Sequence, residues 1–111
     1  MARYVPERGD VVWLDFSPTA GHEQSGHRPA LVLSPASYNA RSGLMLCCPI
    51  TSKVKSYPFV VPILGGSEVA GAILADQLRS MDWRARAVVK KGKVSERTLH
   101  EVLGRAAALL V

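Results

Sequence analysis

Apolar residues fall in short runs along most of the chain and adopt a helical rhythm only at its end. Val11-Val12-Trp13-Leu14-Asp15-Phe16, bounded by Gly9-Asp10 and Ser17-Pro18, is β-branched and aromatic and predicts a strand. Pro29 to Leu33 and Leu44 to Ile50 are continuous apolar runs of strand length, the pattern of strands buried on both faces. Phe59 to Ile63 predicts another strand, confined to an edge or a bulge by Pro62, and Gly65-Gly66 marks a turn. Ala72 to Leu78 reads as a strand, followed by a bend near Met81-Asp82-Trp83. A short Ala87-Val88-Val89 segment leads into a turn at Lys91-Gly92-Lys93. Ser34 followed by Pro35 predicts one short helical turn through Ala40, with Ser34 as its cap. Ser95 caps a C-terminal helix in which Leu99, Val102, Leu103, Ala106 and Leu110 form one apolar stripe. Five or six short strands and one terminal helix predict a mainly β fold: a small, strongly curved antiparallel sheet or partial barrel.

At 111 residues the chain is expected to form a single domain, 1–111. Its hydrophobic content of 48% with 21% charged residues is that of a globular protein and excludes a disordered or collagen-like chain. No apolar run approaches the roughly 20 residues of a membrane span. The N-terminus lacks the apolar core of a signal peptide, so a cytoplasmic location is expected. Cys47 and Cys48 are adjacent and would point to opposite faces of a strand, so both are read as reduced, small hydrophobic residues. The net charge of +5 is concentrated: Arg79, Arg84, Arg86, Lys90, Lys91, Lys93 and Arg97, against Asp82 and Glu96, carry the whole excess. Such asymmetry points to an anionic partner, nucleic acid or an acidic protein, or else to a solvated basic face.

The segment Gly21 to Pro29 gathers His22, Glu23, Gln24, His27 and Arg28 in one loop. Arg28, at the mouth of an apolar strand, suits a clamp for phosphate oxygens; a polar hairpin loop with Arg28 paired to Glu23 is the other reading. Thr51-Ser52-Lys53-Val54-Lys55 ends a different strand, and its hydroxyls and cations could hold a phosphodiester or simply form a turn. Gln77 could read a base edge or bond within a sheet. No spacing of histidines or carboxylates suggests a metal site, so neither metal nor cofactor is expected.

Taken in order, Arg3-Tyr4-Val5-Pro6, Gly9-Asp10, Trp13-Leu14-Asp15-Phe16, Pro18-Thr19, Glu23-Gln24 and Gly26-His27-Arg28-Pro29 resemble the N-terminal half of the MazF/PemK-type toxins. Cys48-Pro49-Ile50-Thr51, Tyr57-Pro58-Phe59, Leu74-Ala75-Asp76-Gln77, Trp83-Arg84-Ala85-Arg86 and Lys90-Lys91-Gly92 continue the likeness; the C-terminal helix matches by type only. The resemblance implies the CcdB/PemK-like plasmid maintenance toxin fold, an SH3-like barrel with helices, assembled as a homodimer. It implies the toxin of a toxin–antitoxin system: an mRNA interferase, an endoribonuclease that cuts single-stranded RNA at a short sequence without a metal and so inhibits translation. Cleavage would proceed by 2′-hydroxyl attack and leave 2′,3′-cyclic phosphate and 5′-hydroxyl ends. The partner would be an acidic, MazE-like antitoxin. The family's catalytic arginine falls on Arg28 and its threonine on Thr51. Gln24, Ser52, Lys53, Lys55, Gln77, Arg84 and Arg86 are the expected RNA-binding groups. A guanidinium is a poor base, which leaves Glu23 or His27 to take the proton, with His27 the better suited of the two.

Two other functions fit a basic chain of this size. CcdB-type toxins resemble the fold and bind gyrase without cutting anything, but they need a C-terminal tryptophan end, and this chain ends Ala108-Leu109-Leu110-Val111. A plain single-strand RNA-binding module would show exposed aromatic residues, whereas Trp13 and Trp83 are expected to be taken up by the strands.

Overall fold

An eight-residue strand forms the spine of the molecule. The computed structural model describes residues 4–17, 21, 26–53, 57–63 and 69–111. Along it run β1 (Asp10–Asp15), β2 (His27–Val32), α1 (Ala36–Ser42), β3 (Leu44–Thr51), β4 (Val60–Pro62), β5 (Ala72–Leu74), β6 (Arg79–Asp82), β7 (Val89–Lys93) and α2 (Glu96–Ala108). All strand pairs are antiparallel, in the order β4-β5-β3-β2-β1-β7, with β6 also on β3. The spine is β3. One of its edges pairs with β2; the other pairs first with β6, from Leu44–Asp82 to Cys47–Arg79, and then with β5, at Ile50–Ile73 and Thr51–Ala72.

Alternation along the strands builds two cores. On one face Val11, Leu31, Cys48, Ile50 and Ile73 pack with Val102 and Ala106 of α2. On the other, Val12, Leu14 and Phe16 meet Ala30, Val32, Met45, Cys47, Met81 and Trp83. The second set joins β1 to β6 although two strands lie between them, so the sheet must curl around it. It is not closed: among the described residues no ladder joins β6 to β1 or β7. Two arginines bridge that gap. Arg79 of β6 donates to the Phe16 carbonyl at 3.1 Å, and Arg86, in the following turn, donates to the carbonyls of Asp15 and Ser17 at 2.5 and 3.0 Å.

Several sequence expectations are corrected. The bend near Met81 is the end of β6, and the turn follows at Trp83–Ala87. The turn at Lys91-Gly92-Lys93 is part of β7, whose pairing with β1 is irregular where Gly92 meets Val11. The strand from Ala72 stops at Leu74. The cap of α1 is Pro35; the hydroxyl of Ser34 donates instead to Asn39 Oδ1 at 2.6 Å and accepts from the Leu46 N–H. Ser95 does cap α2, accepting from the Thr98 N–H, and β4 with Pro62 is an edge strand. Leu110 lies beyond α2 and is exposed. The two cysteines are unbridged and sit in opposite cores, and burial pushes the Cys47 thiol up to about 12. Among the described residues no helix is long and apolar enough to cross a membrane.

Arg86→Met should leave two carbonyls at the base of the β1–β2 loop without their charged donor. A stability loss of about 1–2 kcal/mol is expected in urea unfolding, since such bonds contribute ~1.5–3 kcal/mol when buried and less when partly exposed. An unchanged midpoint and slope would show that the gap is held by packing alone.

Candidate functional site

The ladder between β2 and β3 stops early, and the place where it stops is the site. Pairing runs Val32–Cys47, Leu31–Cys48 and Ala30–Pro49. Pro29, on the same edge of β2 from which Leu33 reaches β3, has no N–H to give, so the ladder lacks that rung. The two strands part, and a cavity of about 260 Å³ opens between them, lined by His27, Arg28, Pro29, Ile50, Ser52 and Ala70. Continuing the register past Ala30–Pro49 sets Pro29 opposite Ile50 and Arg28 opposite Thr51. By alternation Arg28 and Thr51 share the face of the second core, whereas His27, Pro29 and Ile50 share the other.

Thr51 is only 4% exposed. Its Oγ1 accepts the Lys53 N–H at 3.2 Å, which leaves the hydroxyl proton for an outside acceptor. Behind it stands Gly71, with φ of +128°; a Cβ there would lie 2.5 Å from the Thr51 carbonyl oxygen and 3.3 Å from Ile50. Gly71 is a residue the sequence reading missed, because a lone glycine before a strand carries no signal of the close approach it permits.

The other predicted site residues separate into groups. Ser52 and Lys53 are exposed and follow directly on Thr51. His27 is exposed, with Nε2 3.9 Å from Asp15 Oδ2 and its ring stacked near Trp13 at 6.0 Å between centroids. The Ser17 N–H bonded to Asp15 is the first cause holding that carboxyl below its usual range. Gln77 is half-buried in the β5–β6 turn, its N–H donating to the Leu74 carbonyl. Beside it the Tyr57 hydroxyl donates to Asp76 at 2.5 Å, a bond that pushes the phenol up to about 12. Arg86 grips the base of the β1–β2 loop, as described above. Arg84 follows β6 at the opposite end of β3, about 20 Å from Thr51 at ~3.3 Å per residue; it donates to the Ala40 carbonyl and lies over the Trp83 ring. The structure does not bring Arg84 to Arg28 and Thr51. Glu23, Gln24 and Lys55 lie outside the described residues, as does His22. Among the described residues no three histidine, cysteine or carboxylate side chains gather as metal ligands.

Arg28 thus lines the cavity, and Thr51 stands at the end of the strand beside it. The chain belongs to the PemK-like, MazF-like toxins of type II toxin–antitoxin systems, whose family model matches residues 7–110. It is 49% identical over 110 residues to the endoribonuclease toxin MazF of Escherichia coli K12, covering 99% of this chain and 98% of that one. The crystal structure of MazF from Deinococcus radiodurans superposes with a TM-score of 0.93 at 51% identity, covering 97% of this chain and 98% of that chain. A MazE–MazF structure from the same organism aligns with a TM-score of 0.85 at 45% identity, covering 97% of each chain.

Gly71→Ala should cost about 1–3 kcal/mol, because it forces a positive φ and a backbone clash together. In an amide NMR spectrum the largest shifts should fall on Thr51, Ala72 and their neighbours. A variant as stable as the parent, with Thr51 unshifted, would mean that the close approach is not needed.

Proposed function

We propose that this chain is the endoribonuclease toxin of a type II toxin–antitoxin pair, acting on single-stranded RNA in the cytoplasm, with Arg28 and Thr51 as its catalytic pair. The observation that supports the reading is the β2–β3 register: continued past its last pair, Ala30–Pro49, it would set Arg28 opposite Thr51 where the strands part. The relatives named as MazF endoribonucleases support the activity, and the MazE–MazF complex supports an antitoxin partner.

The chemistry needs no group that the chain lacks. The 2′-oxygen attacks the adjacent phosphorus, the bond to the 5′-oxygen breaks, and the products are a 2′,3′-cyclic phosphate and a 5′-hydroxyl. Charge builds on the non-bridging oxygens in the transition state. The planar guanidinium of Arg28 gives two donors to that charge, and the Thr51 hydroxyl gives a third. The proton of the attacking hydroxyl must go to a base. Alternation sends His27 to the other face of β2 from Arg28, toward Trp13 and Asp15. Glu23, in the loop that β1 and β2 support, is therefore the better candidate of the two. RNA contacts are assigned to Gln24, Ser52, Lys53, Lys55 and Gln77, of which Ser52 lines the cavity; Arg86 acts by holding the end of β1 through Asp15 and Ser17.

Assembly as a homodimer has a plausible surface in an apolar groove of about 490 Å³ between α1, β3 and α2, lined by Leu33, Tyr38, Leu46, Leu78, Leu103 and Leu110. Tyr38, Leu46 and Leu110 are exposed there in the single chain. Sedimentation at micromolar concentration should give twice the 12.0 kDa chain mass, and Leu46→Glu should reduce it to the single mass. A wild-type protein that sediments at 12.0 kDa would remove the dimer from the proposal.

Arg28→Ala should slow single-turnover cleavage of an RNA with a mapped site by on the order of 10²-fold or more, as for loss of an oxyanion donor. RNA affinity should change far less. Arg28→Lys should rescue little, since a point charge lacks the two-donor fork. Thr51→Ala should also be slow, and the double variant less impaired than the product of the single effects. Near wild-type cutting by folded Arg28→Ala would refute the assignment. RNA binding without new 5′-hydroxyl ends from the wild type would refute the enzyme itself.

Cleavage should continue unchanged in EDTA. Activity lost to the chelator and restored only by Mg²⁺ would require a metal-assisted route in place of the two side chains.

A further inference from the structure

The most prominent feature outside the catalytic pair is an exposed apolar row on the other face of the sheet. Trp13 pairs with Val89 of β7 on one side and Pro29 of β2 on the other, and the β2–β3 register carries the row on to Ile50. Toward β3 the row passes under cover, Pro29 half-buried and Ile50 1% exposed, and both of these line the cavity that Arg28 also lines. Trp13 is 39% exposed and Val89 58%, so the expectation that the strands take up both tryptophans fails for Trp13; it holds for Trp83, which is buried with its indole N–H on the Asn39 carbonyl. The reason is position. Trp13 lies on the α2 side of the sheet, yet it has no part in the core that α2 covers.

Its surroundings are chemically specific. The His27 ring lies at 25° to the indole, on the diagonal across β1 and β2. Lys91 places its ammonium 5.6 Å from the ring centroid. Asp15, 3.9 Å from His27 Nε2, holds the imidazole on this face. Two flat π-systems with a cation beside them, open to solvent and with His27 on the lining of the cavity that Arg28 shares, match what a single nucleic acid strand requires: faces for the bases and positive charge for the backbone. An acidic peptide would use the cation and leave the paired rings without a counterpart.

We infer that Trp13 and His27 form a stacking subsite for a nucleobase of the RNA, flanking the phosphate held by Arg28 and Thr51. The inference rests on the ribonuclease reading and names a further part of the same substrate site. Trp13 lies two strand spacings, about 10 Å, from Ile50, a reach that one or two unstacked nucleotides cover. His27 has a binding role here in place of the proton-transfer role that the sequence left open.

The test uses wild-type protein and an RNA whose cut site has been mapped, with the attacking 2′-hydroxyl replaced by hydrogen so that it binds without being cut. Saturating this RNA should quench the indole emission of the wild type. Trp13→Ala should weaken binding roughly tenfold, the effect of losing one base–aromatic stack, and raise KM more than it lowers kcat. Trp13→Tyr should recover most of the affinity. Abasic replacement at one position beside the cut should cost the wild type a similar factor and Trp13→Ala almost nothing, which a merely structural role for Trp13 would not produce. Identical abasic profiles for the two proteins would overturn the inference, as would affinity lost only for an acidic antitoxin peptide. If Trp13→Ala does not fold, the wild-type protein decides: no quenching at saturation overturns it. A wild type that cuts no RNA would instead remove the reading beneath it, an outcome seen before any variant is made.

Discussion

The antiparallel register of β2 on β3 is the constraint on which the site depends. It is set by burial: Leu31 and Cys48 must face one core while Val32 and Cys47 face the other, and a slip of one residue would exchange every pair. That same register, carried two residues further, puts Arg28 across from Thr51. Pro29, with no N–H to give to β3, then keeps the ladder from closing over them. Packing free energy thus fixes the position of two polar groups that contribute little to it. Gly71 completes the arrangement by letting the chain entering β5 lie against the Thr51 carbonyl, where any side chain would push β3 away.

The basic excess of the chain serves the fold as well as the anionic partner. Arg79, Arg84 and Arg86 each donate to main-chain carbonyls, which satisfies those oxygens without neutralising the guanidinium. Lys90 and Lys93 come within 3.7 and 3.4 Å of Asp10, a carboxylate that is 1% exposed and also accepts from Tyr4 and from the Glu7 N–H. Burial, helped by Asp10, pushes the Tyr4 phenol far above its usual range, so the hydroxyl stays a donor. These contacts tie the segment before β1 to β7. The field of the charges persists outside the molecule, and it draws in a polyanion whichever residues touch it.

Legibility in the sequence followed burial. β1, β2 and β3 are apolar because most of their residues are buried in one core or the other, and their runs predict them to within two residues. β6 escaped because only Met81 of Arg79-Ser80-Met81-Asp82 is buried, and β7 because Val89 to Lys93 is an edge strand facing solvent. Propensity is weak evidence for such strands; their ladders come from neighbours that are distant in sequence. Arg28 and Thr51 were recognisable as single polar residues at strand ends and as parts of a family pattern, but their apposition needed the register. For Arg84 and Arg86 the sequence shows the charge but gives no sign of the carbonyls to which each donates.

The pleat of β2 offers a way for one short strand to hold two parts of a nucleotide at once. Consecutive residues point to opposite faces, so the Arg28 side chain and those of His27 and Pro29 diverge from neighbouring backbone positions. A phosphate and its bases also diverge, from opposite ends of a ribose. An RNA strand crossing the open end of β2 can then present phosphate to one face and base to the other without either face being remodelled. On this geometry the catalytic face demands precise chemistry, a planar cation and a hydroxyl. The base-holding face demands only flat rings and can accept many bases. Sequence preference can then change elsewhere while β2, β3 and Gly71 stay as they are.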